Sequence, residues 1–413
     1  MRSLGLATVF AALAGFIVIY VASWTLGNDG YAAFQAYWGL FFAATGFLDG
    51  LMQETTRAVA ASRQSGRVGG GRPWRLGLLV AGCALVGASV LGVLWLPTLI
   101  RGQADTSTAT AFFIFGLVSY AFQSVLSGIL SGLGLWRNYA WLVALDSGIR
   151  LLLALVAWRL GGGLSAFMLI TVIGALSWLL ILAASPTVRS RLLAPVDVDQ
   201  QVLLRRVGSA MLATGASATL ITGYPVFVQS TSAPDAGTVV TVAGIINAVT
   251  LTRAPILVPL QRFQSALIVR FVNQRDRLIG ALVAPVFAVL GVGLLGGGVA
   301  WLSGPWILEN FFREGLQVPG GILAILTFAS ACTGTLMVTG TAALAAEEHR
   351  AYVLGWMSAS AVTFGVLWLA PWPLAATVCA SLIIGPLIGC LVHLGALMRV
   401  PQDQTQQSWP ADV

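Results

Sequence analysis

Apolar residues along this chain gather in runs of about twenty, separated by short polar links. Twelve runs can be traced, over 5–24, 31–55, 76–100, 107–134, 139–160, 164–184, 206–230, 238–261, 278–303, 320–345, 351–370 and 375–397. A helix needs about 20 apolar residues to cross a bilayer, whereas a barrel strand needs about 9–11. Only helices and closed barrels satisfy their backbone in hydrocarbon. The pattern therefore predicts an all-α polytopic membrane protein with about 12 spanning helices. The longest well-charged link, 185–206, separates six runs from six, and the expected organisation follows from it. Residues 1–184 form one six-helix bundle, 185–206 a linker, 207–397 a second bundle and 398–413 a tail. One segment stands apart: Pro305–Leu316 is too short and too charged to span, and predicts a short helix lying on the outer face.

Composition agrees. The 413 residues are 57% hydrophobic and only 9% charged, a balance no soluble domain has. All 22 basic residues are arginine. Their crowding into the links after the second, sixth and eighth runs argues for membrane loops rather than nucleic-acid binding, and no nucleic-acid partner is expected. With Arg2 inside, Arg101, Arg159 and Arg313 are the arginines of the outer links, so both termini should be cytoplasmic. Tryptophans near run ends, Trp158, Trp301 and Trp372 among them, suit an interfacial belt. The first run follows Arg2 like a signal peptide, but its length and its Trp24 end read as a spanning helix. Cys83, Cys332, Cys379 and Cys390 lie inside runs without metal or disulfide spacing.

Charges inside the runs carry the functional signal, because each costs about 2.5–3.5 kcal/mol at the centre of a spanning helix. Asp49, Glu54 and Arg57 lie in or just past the second run, Asp146 and Arg150 in the fifth, Arg253 in the eighth. Asp146 and Arg150, four residues apart, read either as a self-neutralising pair or as cavity-lining groups. Arg57 reads either as a snorkelling border residue or as a ligand contact. Arg253 sits beside Pro255 and Pro259, which predict a broken helix next to a cavity. Two short repeats link the halves. Thr56-Arg57-Ala58 matches Thr252-Arg253-Ala254, and Arg137-Asn138-Tyr139 matches Arg350-Ala351-Tyr352. No catalytic signature is present, so no enzyme is expected. Gly69–Gly71 lacks the lysine of a phosphate loop, and His349 and His393 are single, so no metal site is expected.

The polar exit of the second run (QETTRA), SGLGLWRNYAWLVALDSGIRL at 131–151, TRAPILVPLQ at 252–261 and GTAALAAEEHRAYVLGW at 340–356 give the chain a further aspect. Across most of its length it resembles the polysaccharide (O-antigen type) flippases of the multidrug/oligosaccharidyl-lipid/polysaccharide (MOP) exporter superfamily. The resemblance implies a MATE/MOP-like pair of bundles working by alternating access in the bacterial plasma (inner) membrane. It implies a cargo of oligosaccharide on a polyprenyl diphosphate, moved to the outer leaflet, with polysaccharide assembly enzymes as partners. Arg57, Arg150 and Arg253 are then candidate diphosphate contacts, with Gln53, Gln123 and Asn247 for sugar hydroxyls. Asp49, Glu54 and Asp146 are candidates for ion coupling or gating, with no cofactor beyond a proton or sodium. A cation antiporter of the same superfamily is the alternative, favoured by those acids. The second link lacks the Asp of a major-facilitator loop, and the short outer links speak against a glycosyltransferase or polymerase.

Overall fold

The computed structural model describes residues 2–231, 240–274, 277–346 and 348–399. Every regular element among them is helical. The first stretch holds α1 (Arg2–Thr25), α2 (Asn28–Ser65), α3 (Pro73–Leu94), α4 (Leu96–Ile100), α5 (Thr106–Gly132) and α6 (Trp136–Leu160). Then come α7 (Leu164–Ile173), a single 3-10 turn (Gly174–Leu176), α8 (Ser177–Ala184), α9 (Pro186–Arg189), α10 (Gln200–Ile221) and α11 (Tyr224–Thr231). The remainder is α12 (Val242–Asn273), α13 (Leu278–Phe311), α14 (Gly320–Ala345), α15 (His349–Leu369) and α16 (Leu374–Leu397).

Among the described residues ten helices are long and apolar enough to cross a membrane, or eleven if α10 and α11, bent by 53°, form one span. This is a multi-pass membrane protein. The second expected span, α2, is not among them despite its 38 residues. Gln35, Tyr31, Tyr37 and Trp38 dilute its apolar stretch, and they can do so because protein surrounds it: Gln35, Tyr31 and Tyr37 are buried.

The chain forms two compact units, Met1–Ser230 and Thr231–Val413. In the first, α2 is the central helix, packed on α5 and α10, while α1 lies on α6 and α3 on α5. Phe34 meets Phe167 edge-on at 5.5 Å between centroids, and Tyr37 meets Phe113 at 6.0 Å, geometries that add to simple burial. The contact of α2 with α10 is close enough to require glycine. A Cβ on Gly46 would stand 2.2 Å from the Ala218 side chain, and one on Gly50 2.3 Å from the Met211 nitrogen. This approach places α10 in the first compact unit, Met1–Ser230.

The charged link is not a free tether. Gly69 and Gly71 donate backbone hydrogen bonds to Val196 O (2.7 Å) and Val198 O (3.0 Å), and Asp197 N donates to Ala58 O (3.2 Å). The indole of Trp74 donates to Leu192 O at 2.7 Å. The glycine-rich 69–71 segment thus serves as a docking edge for the link. At the start of α5, Asp105 caps the helix, accepting from Thr108 N at 2.8 Å. The Ser107 hydroxyl and then the Thr108 donors hold its carboxyl down at about 2.

In the second unit α14 is the hub, packed against α12, α13, α15 and α16. It carries a row of hydroxyls, and Thr327, Ser330, Thr335 and Thr341 each donate to a carbonyl four residues back, so the helix buries polar residues without orphaning them. His393 of α16, unpartnered in the sequence, is fully buried here. Its ring nitrogens meet Thr339 Oγ1 at 3.0 Å and Tyr352 O at 3.2 Å, which joins α14, α15 and α16.

Two local expectations are overturned. The segment from Pro305 does not form a separate surface helix: α13 runs unbroken to Phe311 through Pro285 and Pro305. Likewise α12 continues through Pro255 and Pro259 to Asn273, so Arg262 and Arg270 stand on a helix rather than in a link. A proline removes one helical donor, and neighbouring helices at membrane depth make that loss tolerable.

Candidate functional site

Two polar clusters occupy the first unit, and α2 contributes to both. The deeper one is built on α5, α6 and the interrupted α7–α8 pair. Asp146 and Arg150 lie about 15 and 21 Å along α6, at about 1.5 Å per residue, in a helix about 37 Å long. The Arg150 guanidinium pairs with the Asp146 carboxylate, as their i,i+4 spacing allows. Its Nε donates to Thr171 O at 3.0 Å, and its Cζ stands 5.1 Å from the centre of the Phe42 ring. Nη2 is buried and makes no hydrogen bond among the described residues. The guanidinium fits because Gly174 faces it; a Cβ there would lie 2.7 Å from both Arg150 Cζ and the Asp146 carbonyl oxygen. The 3-10 turn at Gly174–Leu176 is thus the feature that admits a charged side chain between α6 and α7.

Gln123 of α5 extends the network. Its Nε2 donates to Asp146 Oδ1 at 3.3 Å, and its Oε1 accepts from the Ser177 hydroxyl at 3.0 Å. Trp178 donates through Nε1 to Ser119 Oγ at 3.0 Å, and Ser119 donates to Ala175 O at 2.7 Å. Asp49 of α2 accepts from the Tyr120 hydroxyl at 2.9 Å, and Tyr120 lies within electrostatic reach of both Asp49 and Asp146. No arginine pairs with Asp49 among the described residues. Asp49 thus stands beside the cluster as a second carboxylate, joined to Tyr120 and not to its network.

The second cluster closes the C-terminal end of α2. Arg57 donates through Nε and Nη2 to Glu54 (2.8 and 2.7 Å), and through Nη1 to Asp197 of the link at 3.2 Å. Arg206 of α10 stands 4.0 Å from Glu54. Two arginines thus face two acids, with the Arg57 and Arg206 side chains 40% and 45% exposed. Gln53 is exposed one turn from Arg57.

The sequence-named residues are only partly gathered. Gln123, Asp146 and Arg150 meet in one network; Glu54 and Arg57 meet in the other; Asp49 touches neither by a hydrogen bond. Asn247 and Arg253 lie in the second unit on α12, 0% and 6% exposed. The repeated Thr-Arg-Ala triplets differ in setting, since Arg57 is half-exposed and ion-paired while Arg253 is buried. The other repeat keeps its place, as Arg137 and Arg350 are each the second residue of their helices. Tyr120, Ser177, Trp178, Asp197 and Arg206 escaped the sequence reading. The i,i+4 spacing of Ser119, Gln123 and Ser127 within an apolar run was the available signal.

The fold is that of a MOP-type membrane transporter. An inward-facing multidrug resistance MATE transporter superposes with a TM-score of 0.68 at 16% identity, over 94% of each chain. The lipid II flippase MurJ in an inward closed conformation gives 0.66 at 13% identity, over 97% of this chain and 88% of that one. A MOP superfamily transporter from Pyrococcus furiosus, described as having a binding pocket of reversed polarity, gives 0.58 at 16% identity, over 96% and 94%. These neighbours are transporters and flippases, not enzymes. No protein-family model matches the chain. The sequence itself is 38% identical over 405 residues to the uncharacterized protein Rv1510 of Mycobacterium tuberculosis H37Rv, covering 96% of this chain and 91% of that protein. It is 37% identical over 406 residues to Rv3630 of the same strain, covering 96% and 92%. The chain belongs to the family of these mycobacterial proteins.

Proposed function

We propose that this transporter flips a lipid-linked oligosaccharide, carried on a polyprenyl diphosphate, from the inner to the outer leaflet of the bacterial plasma membrane. The observation that carries the reading is Arg150: a permanently charged guanidinium near the middle of a spanning helix, with Nη2 lacking a hydrogen bond among the described residues. A second arginine, Arg253, is buried in the other unit. Guanidinium groups bind phosphate oxygens with paired, charge-assisted hydrogen bonds, so a diphosphate can compete with Asp146 for Arg150. Gln53, Gln123 and Asn247 supply amides for sugar hydroxyls. That the lipid II flippase shares the fold supports a lipid-linked cargo. Both termini lie in the cytoplasm, and polysaccharide assembly enzymes are the partners this role implies. Asp49 is the proton-coupling group, with sodium as the alternative ion and Glu54 and Asp146 in gating.

The test is the leaflet distribution of lipid-linked oligosaccharide in cells lacking the protein, read with a membrane-impermeant probe. Build-up on the inner leaflet, reversed by wild type but not by Arg253→Ala at equal expression, is the expected result. Reversal by Arg253→Ala as complete as by wild type would overturn the cationic site. A second reading, cation antiport, rests on Asp49, a carboxylate without a basic partner among the described residues. It requires altered sensitivity to cationic drugs and no build-up.

A further inference from the structure

Three helices of the first unit meet at one corner. The start of α3, the start of α6 and the end of α8 converge on a shared apolar cluster. In it Trp74 of α3, Tyr139 of α6, Leu182 of α8 and Leu192 of the link pack against buried Leu130 and Val188. Hydrogen bonds fix the corner. The Trp74 indole donates to Leu192 O at 2.7 Å, and Asn138 Nδ2 donates to Ser185 Oγ at 3.2 Å.

This packing gathers four exposed arginines. Arg75 follows Trp74, Arg137 precedes Asn138, and Arg189 and Arg191 lie between Ser185 and Leu192. Arg189 closes α8, its Nη1 donating to Leu182 O and Ala183 O at 2.8 Å each. The side chains of Arg75, Arg137 and Arg191 make no hydrogen bond or ion pair among the described residues. The nearby acids are already engaged. Glu54 and Asp197 accept from Arg57, and Asp199 accepts from Gly70 N at 3.0 Å.

The corner borders lipid. Arg75 shares the exposed face of α3 with Leu78 and Leu79, one turn on, and Arg137 shares that of α6 with Trp141. Both arginines thus stand one turn beyond surfaces that face hydrocarbon, at the depth of headgroup phosphates. Between α3 and α8 the partly buried rings of Trp74, Phe122 and Trp178 lie 5.7 to 6.5 Å apart, a wall along which an acyl chain can rest. Next to Arg191, Leu193 is 89% exposed, which suits insertion at the membrane surface. A soluble anion would use the arginines alone and leave these apolar groups without a role.

We propose that this corner binds an anionic phospholipid of the adjoining leaflet. Its phosphate is held by Arg75, Arg137 and Arg191, and its acyl chains lie along α3 and α8. Basic pockets between spanning helices recognise such headgroups, and guanidinium groups pair with phosphate oxygens. The lipid is a fixed companion on the outside of the unit rather than the cargo, so the site stands whether or not the flippase reading does.

Native mass spectrometry of the full-length protein, delipidated in detergent and titrated with phosphatidylglycerol or phosphatidylcholine, tests this. Wild type should bind phosphatidylglycerol about tenfold or more tightly than phosphatidylcholine. An arginine near a membrane surface contributes about fivefold to such binding. Arg191→Gln, in the link, should therefore weaken phosphatidylglycerol about fivefold, and the triple variant Arg75→Gln/Arg137→Gln/Arg191→Gln about a hundredfold. These side chains hold nothing in the fold, so the melting temperature without added lipid should not change. A charge-matched triple variant elsewhere, Arg159→Gln/Arg277→Gln/Arg350→Gln, should bind as wild type does. Excess inorganic phosphate should leave the lipid in place. Equal binding of both lipids by wild type, undiminished binding by the corner variants, or an equal loss in the matched triple would overturn the site. Displacement by inorganic phosphate would overturn the lipid as its occupant.

Discussion

The Asp146–Arg150 pair invites a perturbation that separates what holds the fold from what handles cargo. The two side chains are 15% and 5% exposed, so neither has water to fall back on. Arginine does not deprotonate in proteins, so Asp146→Leu strands a buried cation whose remaining contacts are Thr171 O and the Phe42 ring. Breaking a buried pair from one side in this way costs about 3–5 kcal/mol. Arg150→Met strands the carboxylate instead, which keeps its bond from Gln123, so about 1–3 kcal/mol is expected. The double variant leaves neither charge behind and should return to within about 1 kcal/mol of wild type, because a buried pair gains little over an apolar one. The coupling energy should therefore reach about 3 kcal/mol or more, far above the ~0.5 kcal/mol of independent sites. Tryptophan fluorescence during unfolding in mixed detergent micelles reads all four corners of the cycle. Additive single effects would refute the account of the pair as a closed electrostatic unit. The double variant, stable yet lacking the guanidinium, should then fail to flip lipid-linked oligosaccharide.

Other consequences follow from the same geometry. Gly50→Val should push α10 off α2, costing about 1–3 kcal/mol or more and showing as loss of monodisperse protein on size exclusion. Asp197→Ala removes one of two acids from Arg57, a 40% exposed side chain, so stability should move by no more than about 1 kcal/mol. Trypsin cleavage after Arg189 and Arg191 should nevertheless quicken as the link loosens. Asp105→Asn should lower the melting temperature near neutral pH. Because the native carboxyl is held down at about 2, its contribution is full above the ordinary carboxylate range and disappears as pH falls through about 2. Wild type and variant should converge there.

The helical membrane fold was legible because run length in a bilayer is a direct physical requirement. It was least legible where protein rather than lipid surrounds the chain. The polarity of α2 would be costly against lipid, and only packing by α5 and α10 explains it. The close packing of α10 on α2 was not legible, because charge marks a link whereas only the structure shows that the glycines at 46 and 50 make this contact. Of the candidate residues, Asp146 and Arg150 could be paired from spacing alone. The partners Tyr120, Asp197 and Arg206 could not, since they come from elements far away in sequence. Prolines misled in α12 and the charges of 305–316 misled in α13, since both helices run on through those positions.

The unbroken α13 has a consequence for the membrane itself. Its 34 residues extend about 51 Å, against a hydrocarbon core of about 30 Å. Such a rod must lean or project its ends among the headgroups. Trp301 and Trp306, both more than half exposed, stand on its final turns together with Phe311, and such indole rings favour the membrane interface. A separate surface helix could have floated with the interface; a rigid extension cannot. The helix acts as a depth gauge, tying the protein's tilt to bilayer thickness, so reconstitution into short-chain and long-chain lipids should shift activity without altering a single residue of the site.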